Sequence, residues 1–156
     1  MKIVKKIFIA LLILFIAIQF FRPARNISTQ NFPRGINHTI ITPDPVLTVL
    51  KNSCYDCHSN NTRYPWYNNI QPVAWWLHSH ISDGKRALNF DEFGSYTLKR
   101  QQDKLKGIRN EVKDGGMPLS SYTLIHTDAK LSDAEKKMIA DWTVRGADSL
   151  EISKGR

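Results

Sequence analysis

The stretch Cys54-Tyr55-Asp56-Cys57-His58 constrains the fold of this 156-residue sequence more than any other. C-x-x-C-H is the spacing at which two thiols can bond to the vinyl groups of one haem while the adjoining imidazole ligates its iron. We therefore predict a covalently bound haem c, with Cys54 and Cys57 as thioether anchors and His58 as a ligand of the iron.

Three other roles of the two cysteines are less well supported. A dithiol redox motif normally follows a strand, whereas residues 45–53 have the pattern of a short amphipathic helix. A structural zinc site needs four ligands, and the chain after the motif offers no further cysteine, only His78, His80 and His126. A disulfide within the motif would close a loop too small to restrict the unfolded chain much. The motif therefore favours haem attachment.

An apolar run occupies residues 7–21 and contains one polar residue, Gln19. Lysines precede the run and Arg22-Pro23 ends it, which is typical of a signal peptide or a membrane anchor. Because no A-x-A cleavage pattern follows, we predict that residues 1–22 form a signal anchor or transmembrane helix. Bacterial haem attachment takes place outside the cytoplasm. We therefore expect a single-pass inner-membrane protein whose C-terminal domain faces the periplasm.

The segment after the apolar run is polar and shows no sustained periodicity. It contains Pro33 and Gly35, both of which interrupt regular structure. We predict a linker over residues 23–43 that carries a haem-binding domain over residues 44–150.

The formal net charge of +8 does not indicate a nucleic-acid-binding protein. Residues 1–26 hold five of the 22 basic residues and no acidic one, which leaves 17 basic and 14 acidic residues in the rest. A basic stretch remains, formed by Lys99, Arg100, Lys104, Lys106, Arg109 and Lys113. Such a stretch is typical of a solvated helix face, or of a docking face for an acidic redox partner. We predict no nucleic-acid binding, and the sequence does not identify the redox partner.

Apolar periodicity predicts helices over 45–52, 73–82, about 91–114 and 132–144. Ser132 and Glu135 have the spacing of a capping box, and we expect Asp83-Gly84, Gly115-Gly116 and Gly146 to follow helix ends. The chain shows no alternating strand pattern. We therefore predict an all-α, cytochrome c-like helical domain wrapped round the haem and preceded by the transmembrane helix.

The loop Gly115-Gly116-Met117-Pro118 is the first candidate for the other side of the iron. A thioether is a soft ligand that favours ferrous iron, and the glycines allow the backbone to approach the haem edge closely. We therefore predict Met117 as the sixth ligand. A histidine, either His126 or one of His80 and His78, and an open site are the alternatives.

Aromatic side chains in the domain are candidate walls of the haem pocket. They are Tyr64, Trp66, Tyr67, Trp75, Trp76 and Trp142. We expect Arg63 or Arg86 to pair with haem propionates, since guanidinium groups bind carboxylates strongly. We also expect Pro65 or Pro72 to offer a carbonyl oxygen to the second ring nitrogen of His58, because metal-bound histidines need such a partner.

Residues 44–145 as a whole resemble a family of small bacterial haem-binding domains that is distantly similar to class I cytochromes c. The matching stretches are 54–59, 64–67, 72–75, 88–90, 117–119, 122–126 and the helix that begins at Leu131-Ser132. The resemblance implies covalent haem and a membrane-anchored periplasmic location. It implies no particular partner or pathway.

Two protein ligands on the iron would leave no position for a substrate. We therefore predict a monohaem electron carrier that cycles between Fe(II) and Fe(III), and this interpretation is favoured over an enzyme, a question that the sequence leaves open. The alternative is a haem sensor or a peroxidase-like enzyme with an open or displaceable sixth position, in which a residue such as His126 would act as distal acid or base.

Overall fold

The computed structural model describes residues 2–154, and all regular structure in that range is helical, as predicted. The α-helices are α1 (Lys2–Ile18), α2 (Ile36–Thr39), α3 (Asp44–Ser53), α4 (Tyr55–His58), α5 (Val73–Ala87), α6 (Leu98–Asp114), α7 (Ser120–Thr123) and α8 (Asp133–Lys154). Short 3₁₀ turns cover Trp66–Asn69, Phe90–Ser95 and Thr127–Ala129.

The most extensive contact between two of the described helices joins α6 to α8. Leu105 of α6 and Ile139 of α8 are fully buried, and Trp142 is 1% exposed. The indole nitrogen of Trp142 donates a hydrogen bond to the carbonyl oxygen of Ile41 at 3.2 Å. Residues from both helices and from the segment before α3 therefore share one apolar core.

The predicted capping box at the start of α8 is confirmed. The backbone N–H of Ser132 donates to the Glu135 carboxylate at 2.8 Å, and the N–H of Glu135 donates to the Ser132 hydroxyl oxygen at 3.3 Å. The predicted end near residue 144 is wrong, because α8 continues through Gly146 to Lys154. A Cβ atom at position 146 would lie 2.8 Å from Cδ1 of Ile40, so this glycine allows close packing and does not stop the helix.

The start of α6 lies later than predicted, at Leu98. Residues 90–95 form a 3₁₀ turn instead, because Phe90 and Phe93 are both turned into the core. The hydroxyl oxygen of Thr97 then caps α6. The predicted stop is confirmed, since Gly115 follows α6 with φ of 75°, a left-handed conformation that glycine adopts readily.

The prediction of an N-terminal transmembrane helix is wrong, and with it the single-pass inner-membrane location and the periplasmic orientation. Nowhere in residues 2–154 is a helix both long and apolar enough to cross a membrane. Helix α1 has 17 residues, so at about 1.5 Å per residue it falls short of a hydrocarbon core of about 30 Å. It ends at Ile18, and the N–H groups of the next three residues each bond to a carbonyl three residues back. The Gln19 side chain accepts from the N–H of Gln71, whose side-chain amide donates to the carbonyl of Phe21.

The segment predicted as a linker packs on the helices. The side-chain amide of Asn26 donates to the Ser59 carbonyl and to the Thr62 hydroxyl, each at 2.9 Å. Ile36 of α2 is fully buried. A free tether would make no such contacts, so these residues contribute to the domain, while the proposed boundaries at residues 22, 43 and 150 stay predictions.

Candidate functional site

A single helical turn positions the three functional side chains of the C-x-x-C-H motif. Helix α3 ends at Ser53, and the carbonyl of Cys54 then accepts hydrogen bonds from the N–H groups of Cys57 at 3.2 Å and His58 at 3.0 Å. Residues three and four apart on a helix share a face. The two thiols and the imidazole therefore lie on the same side of the turn.

Two adjoining cavities, of about 230 and 320 Å³, open on this side of the motif. The residues that line both of them are Ser53, Cys54, His58, Ala87, Met117 and Pro118. Cys57 lines the first cavity. We call the two cavities together the cleft. The structure thus brings Cys54, Cys57, His58 and Met117 together round one space.

The imidazole of His58 is held by a backbone carbonyl. Its Nδ1 lies 3.0 Å from the carbonyl oxygen of Leu88. Because a carbonyl oxygen can only accept, Nδ1 carries the proton and Nε2 keeps its lone pair free for a metal. Burial lowers the pKa of His58, against the opposing effect of the Leu88 and Gly84 backbone, which favours the neutral ring that ligation requires. The prediction that Pro65 or Pro72 offers this carbonyl oxygen is wrong, because Leu88 offers it.

Helix α5 supplies that carbonyl because it packs directly on the motif. A Cβ atom at position 84 would lie 2.7 Å from the carbonyl oxygen of Cys57, so only glycine permits this approach. The predicted helix end at Asp83-Gly84 is therefore wrong: Gly84 is a packing position, and α5 continues to Ala87. The turn after Ala87 then delivers Leu88 to His58.

Both cysteines are free thiols in the structure. Burial, with a smaller effect of neighbouring charge, raises the pKa of Cys54 to about 12 and that of Cys57 to about 11. Cysteines of dithiol redox motifs have lowered pKa values, since the thiolate is the reactive species. The thiol environment therefore does not favour the redox alternative.

The opposite side of the cleft is a loop. After Gly115 the chain turns, and the N–H of Met117 donates to the carbonyl of Glu111 at 3.1 Å. Met117 is half-buried and lines both cavities together with Pro118. Met117 therefore lines the same space as the side chains of the motif.

The three alternative histidines lie in different surroundings. His126 contacts the Tyr67 hydroxyl through Nε2 at 2.7 Å and stacks on the ring of Tyr122 with centroids 4.4 Å apart. It lines a separate polar cavity of about 260 Å³. His80 lines the first cavity of the cleft, whereas His78 is exposed to solvent. Of the three, His80 is the one that the structure brings to the cleft.

The expected aromatic walls lie elsewhere. Trp142 belongs to the core between α6 and α8, and Trp66, Trp75 and Trp76 are 75%, 40% and 48% exposed. The apolar side chains that do line the cleft are Ala87, Leu88, Phe90, Ile108, Val112 and Leu119. The helical spacing of Ile108 and Val112 could have identified the part contributed by α6.

Asp56, between the two cysteines, is a site residue that the sequence interpretation missed. The residue is 7% exposed. Its carboxylate accepts hydrogen bonds from the Tyr122 hydroxyl at 2.7 Å and from Nε of Arg63 at 3.0 Å. Arg86 likewise pairs with Asp83. Both arginines expected at the haem propionates are therefore bound to carboxylates of the protein.

Comparison with known proteins gives one positive result. The family described as "Haem-binding domain" matches residues 13–145, well over half of the chain. No curated protein and no solved structure is significantly similar to it. The family match agrees with a cleft that combines two thiols, a neutral imidazole and a thioether. This chain belongs to the haem-binding domain family.

Proposed function

We propose that this haem-binding domain is a c-type cytochrome that carries electrons. In this proposal Cys54 and Cys57 would hold the haem covalently, and His58 and Met117 would ligate its iron. One observation carries the proposal: Cys54, His58 and Met117 line both cavities of the cleft, and Cys57 lines the first of them. These are the four donor groups that a covalently bound, six-coordinate haem needs.

The two thiols account for the permanent attachment. Each S–H adds across one vinyl group, which forms one C–S and one C–H bond and consumes no oxidant. Cys54 and Cys57 are separated by one helical turn and are both free, which suits two attachments to one macrocycle.

The two ligands account for electron transfer. Bound haem supplies an iron that exchanges one electron between Fe(II) and Fe(III). His58 offers Nε2 because Leu88 holds the proton on Nδ1, and such a partner fixes the ring and raises its basicity. Met117 offers a soft thioether, which favours Fe(II) and raises the reduction potential. Two protein ligands leave no position for a substrate.

The peroxidase-like alternative finds no support in the contacts of His126. A distal acid or base has to reach the open position on the iron, whereas His126 is engaged with Tyr67 and lines a separate cavity. Electron transfer is therefore the function that the geometry favours.

Covalent attachment is tested by expressing the chain with a haem-attachment system. We expect a denaturing gel to stain for haem and mass spectrometry to show the polypeptide plus one haem. The double variant Cys54→Ala/Cys57→Ala should lose both signals. Bare polypeptide from the wild type, matured beside a known cytochrome c that does load, would contradict the proposal.

Ligation is tested by the ferrous absorption spectrum with and without carbon monoxide. We expect a low-spin spectrum that carbon monoxide does not change, because His58 and Met117 occupy both axial positions. A spectrum that shifts at once on adding carbon monoxide would instead support the sensor or peroxidase alternative.

A further inference from the structure

The cleft has charged as well as apolar walls. The charged or titratable side chains on it, apart from the motif residues Cys54, Cys57 and His58, are Asp56, His80, Asp83, Asp103, Lys104, Glu111 and Tyr122. Among the described lining residues, Lys104 is the single lysine or arginine. It lies on α6, is half-buried and lines the second cavity.

Most of the carboxylates on these walls already have a cation. Asp103 pairs with Lys99 at 2.9 Å, Asp83 with Arg86, and Asp56 with Arg63 at 3.0 Å. Each of these cations is therefore already in an ion pair within the protein. Glu111 is the exposed exception.

Lys104 has no carboxylate partner of this kind among the described residues. Within residues 2–154 no carboxylate lies within ion-pair distance of its ammonium group. A half-buried lysine normally extends its methylene chain along an apolar wall and keeps its charge at the rim. Lys104 has that setting, because Ile108 and Val112 line the same cavity.

A haem brings two propionate carboxylates, and a carboxylate that is partly removed from water needs a positive partner. We infer that Lys104 is the side chain that pairs with a haem propionate, in place of Arg63 or Arg86. This makes Lys104 a positioning residue: it fixes the propionate edge of the macrocycle toward α6. The inference rests on the proposed seat of the haem in the cleft.

The pairing has a predictable effect on the iron. The negative charge of a propionate stabilises Fe(III), the more positive state of the iron. A cation beside the propionate offsets that charge and so raises the reduction potential. Loss of the Lys104 charge leaves the propionate uncompensated, which stabilises Fe(III). The reduction potential should therefore fall when Lys104 is neutralised.

The test compares Lys104→Met with Lys106→Met in the haem-loaded chain. Lys106 is an exposed lysine of the same helix that does not belong to the lining of either cavity. We expect Lys104→Met to lower the midpoint potential and to shift the propionate bending bands in resonance Raman spectra. Lys106→Met should leave the bands unchanged and move the potential several-fold less. Lys104→Arg should keep both wild-type values because it keeps the charge.

Equal effects of Lys104→Met and Lys106→Met in protein that retains its covalent haem would overturn the inference and leave the proposed function intact. If the haem is bound but not covalent, and the Raman bands still shift in Lys104→Met, the pairing of Lys104 with a propionate is supported. The same result would contradict the attachment of the haem to Cys54 and Cys57. If the methionine variant loses its helical circular dichroism, Lys104→Gln replaces it, with the same expected shifts.

Discussion

The two sides of the cleft are built in different ways. One side, which we call the His58 wall, consists of α4 and residues 84–88, at the end of α5 and in the turn after it. The two parts of this wall meet through backbone atoms. The imidazole bonds to the Leu88 carbonyl, and Gly84 lies against the Cys57 carbonyl. On the other side, the Met117 wall, residues 115–119 form a loop whose Met117 N–H bonds to Glu111. In the proposed function, the protein thus presets one iron ligand, His58, through a hydrogen bond to its ring, and leaves the other, the Met117 side chain, adjustable because its loop bonds through the backbone.

The largest effect is expected from removing the preset ligand. His58→Ala should abolish the low-spin spectrum of the haem-loaded protein, because the proposed ligand on this wall is the imidazole that Leu88 holds in place. Absorption and electron paramagnetic resonance spectra of the ferric protein measure this. His78→Ala is the matched control on exposed α5 surface. A low-spin spectrum that survives His58→Ala unchanged would mean that the preset ligand is another residue.

Removing the adjustable ligand should have a smaller effect. We expect Met117→Ala to keep its covalent haem, lose the sulfur-to-iron charge-transfer band and lower the reduction potential, since the thioether favours Fe(II). Spectroelectrochemistry measures both changes. His80→Ala is the comparison, because His80 is the histidine that also lines the cleft. If the histidine variant changes the spectrum and the methionine variant does not, the sixth ligand is His80.

The backbone packing of the His58 wall can be broken by one methyl group. In Gly84→Ala the new Cβ would lie 2.7 Å from the Cys57 carbonyl, where neither backbone can move cheaply. We expect the free energy of unfolding of the haem-free chain to fall by about 1–3 kcal/mol, measured by urea denaturation. Gly107→Ala in α6 is the control, because a Cβ there has no neighbour within 4 Å. It should raise stability by about 0.5–1 kcal/mol. Equal stability of the two variants would show that the contact at Gly84 is not tight.

The smallest effect concerns the thiols of the His58 wall in the haem-free chain. Burial raises the pKa of Cys57 from 9.0 to about 11, so the folded chain holds fewer thiolates than the unfolded chain at pH 8. Alkylation by iodoacetamide should then be about 100-fold slower than in urea, since the thiolate is the nucleophile. The same shift stabilises the fold below pH 9, and that contribution is lost as the pH rises toward 11. Equal alkylation rates in folded and unfolded chains would indicate that the wall is open.

The sequence predicts the parts of the site that follow from local chemistry. The C-x-x-C-H spacing identifies Cys54, Cys57 and His58 because a single turn brings these positions together whatever surrounds them. The capping box at Ser132 and the stop at Gly115 are predictable for the same reason, since each depends on hydrogen bonds or dihedral angles within a few residues.

The parts that failed depend on distant neighbours. Glycine at 84 or 146 has the pattern of a helix stop, and only the approach of Cys57 or Ile40 shows that each glycine is a packing position. The N-terminal apolar run suggests a membrane span, but its helix ends at Ile18 and the side chain of Gln19 bonds to residue 71. No local pattern reports such contacts.

The hydrogen bond between Tyr122 and Asp56 has a consequence for the chain that carries Met117. That chain is held at its start by the bond from Met117 to Glu111 and, five residues on, by the Tyr122 hydroxyl, which donates to Asp56 in the middle of the C-x-x-C-H motif. The short segment that carries the thioether is therefore held at two points, one on α6 and one on α4. The bond thus ties the residue between the two cysteines to the chain that carries Met117, so that a change at one would be felt at the other.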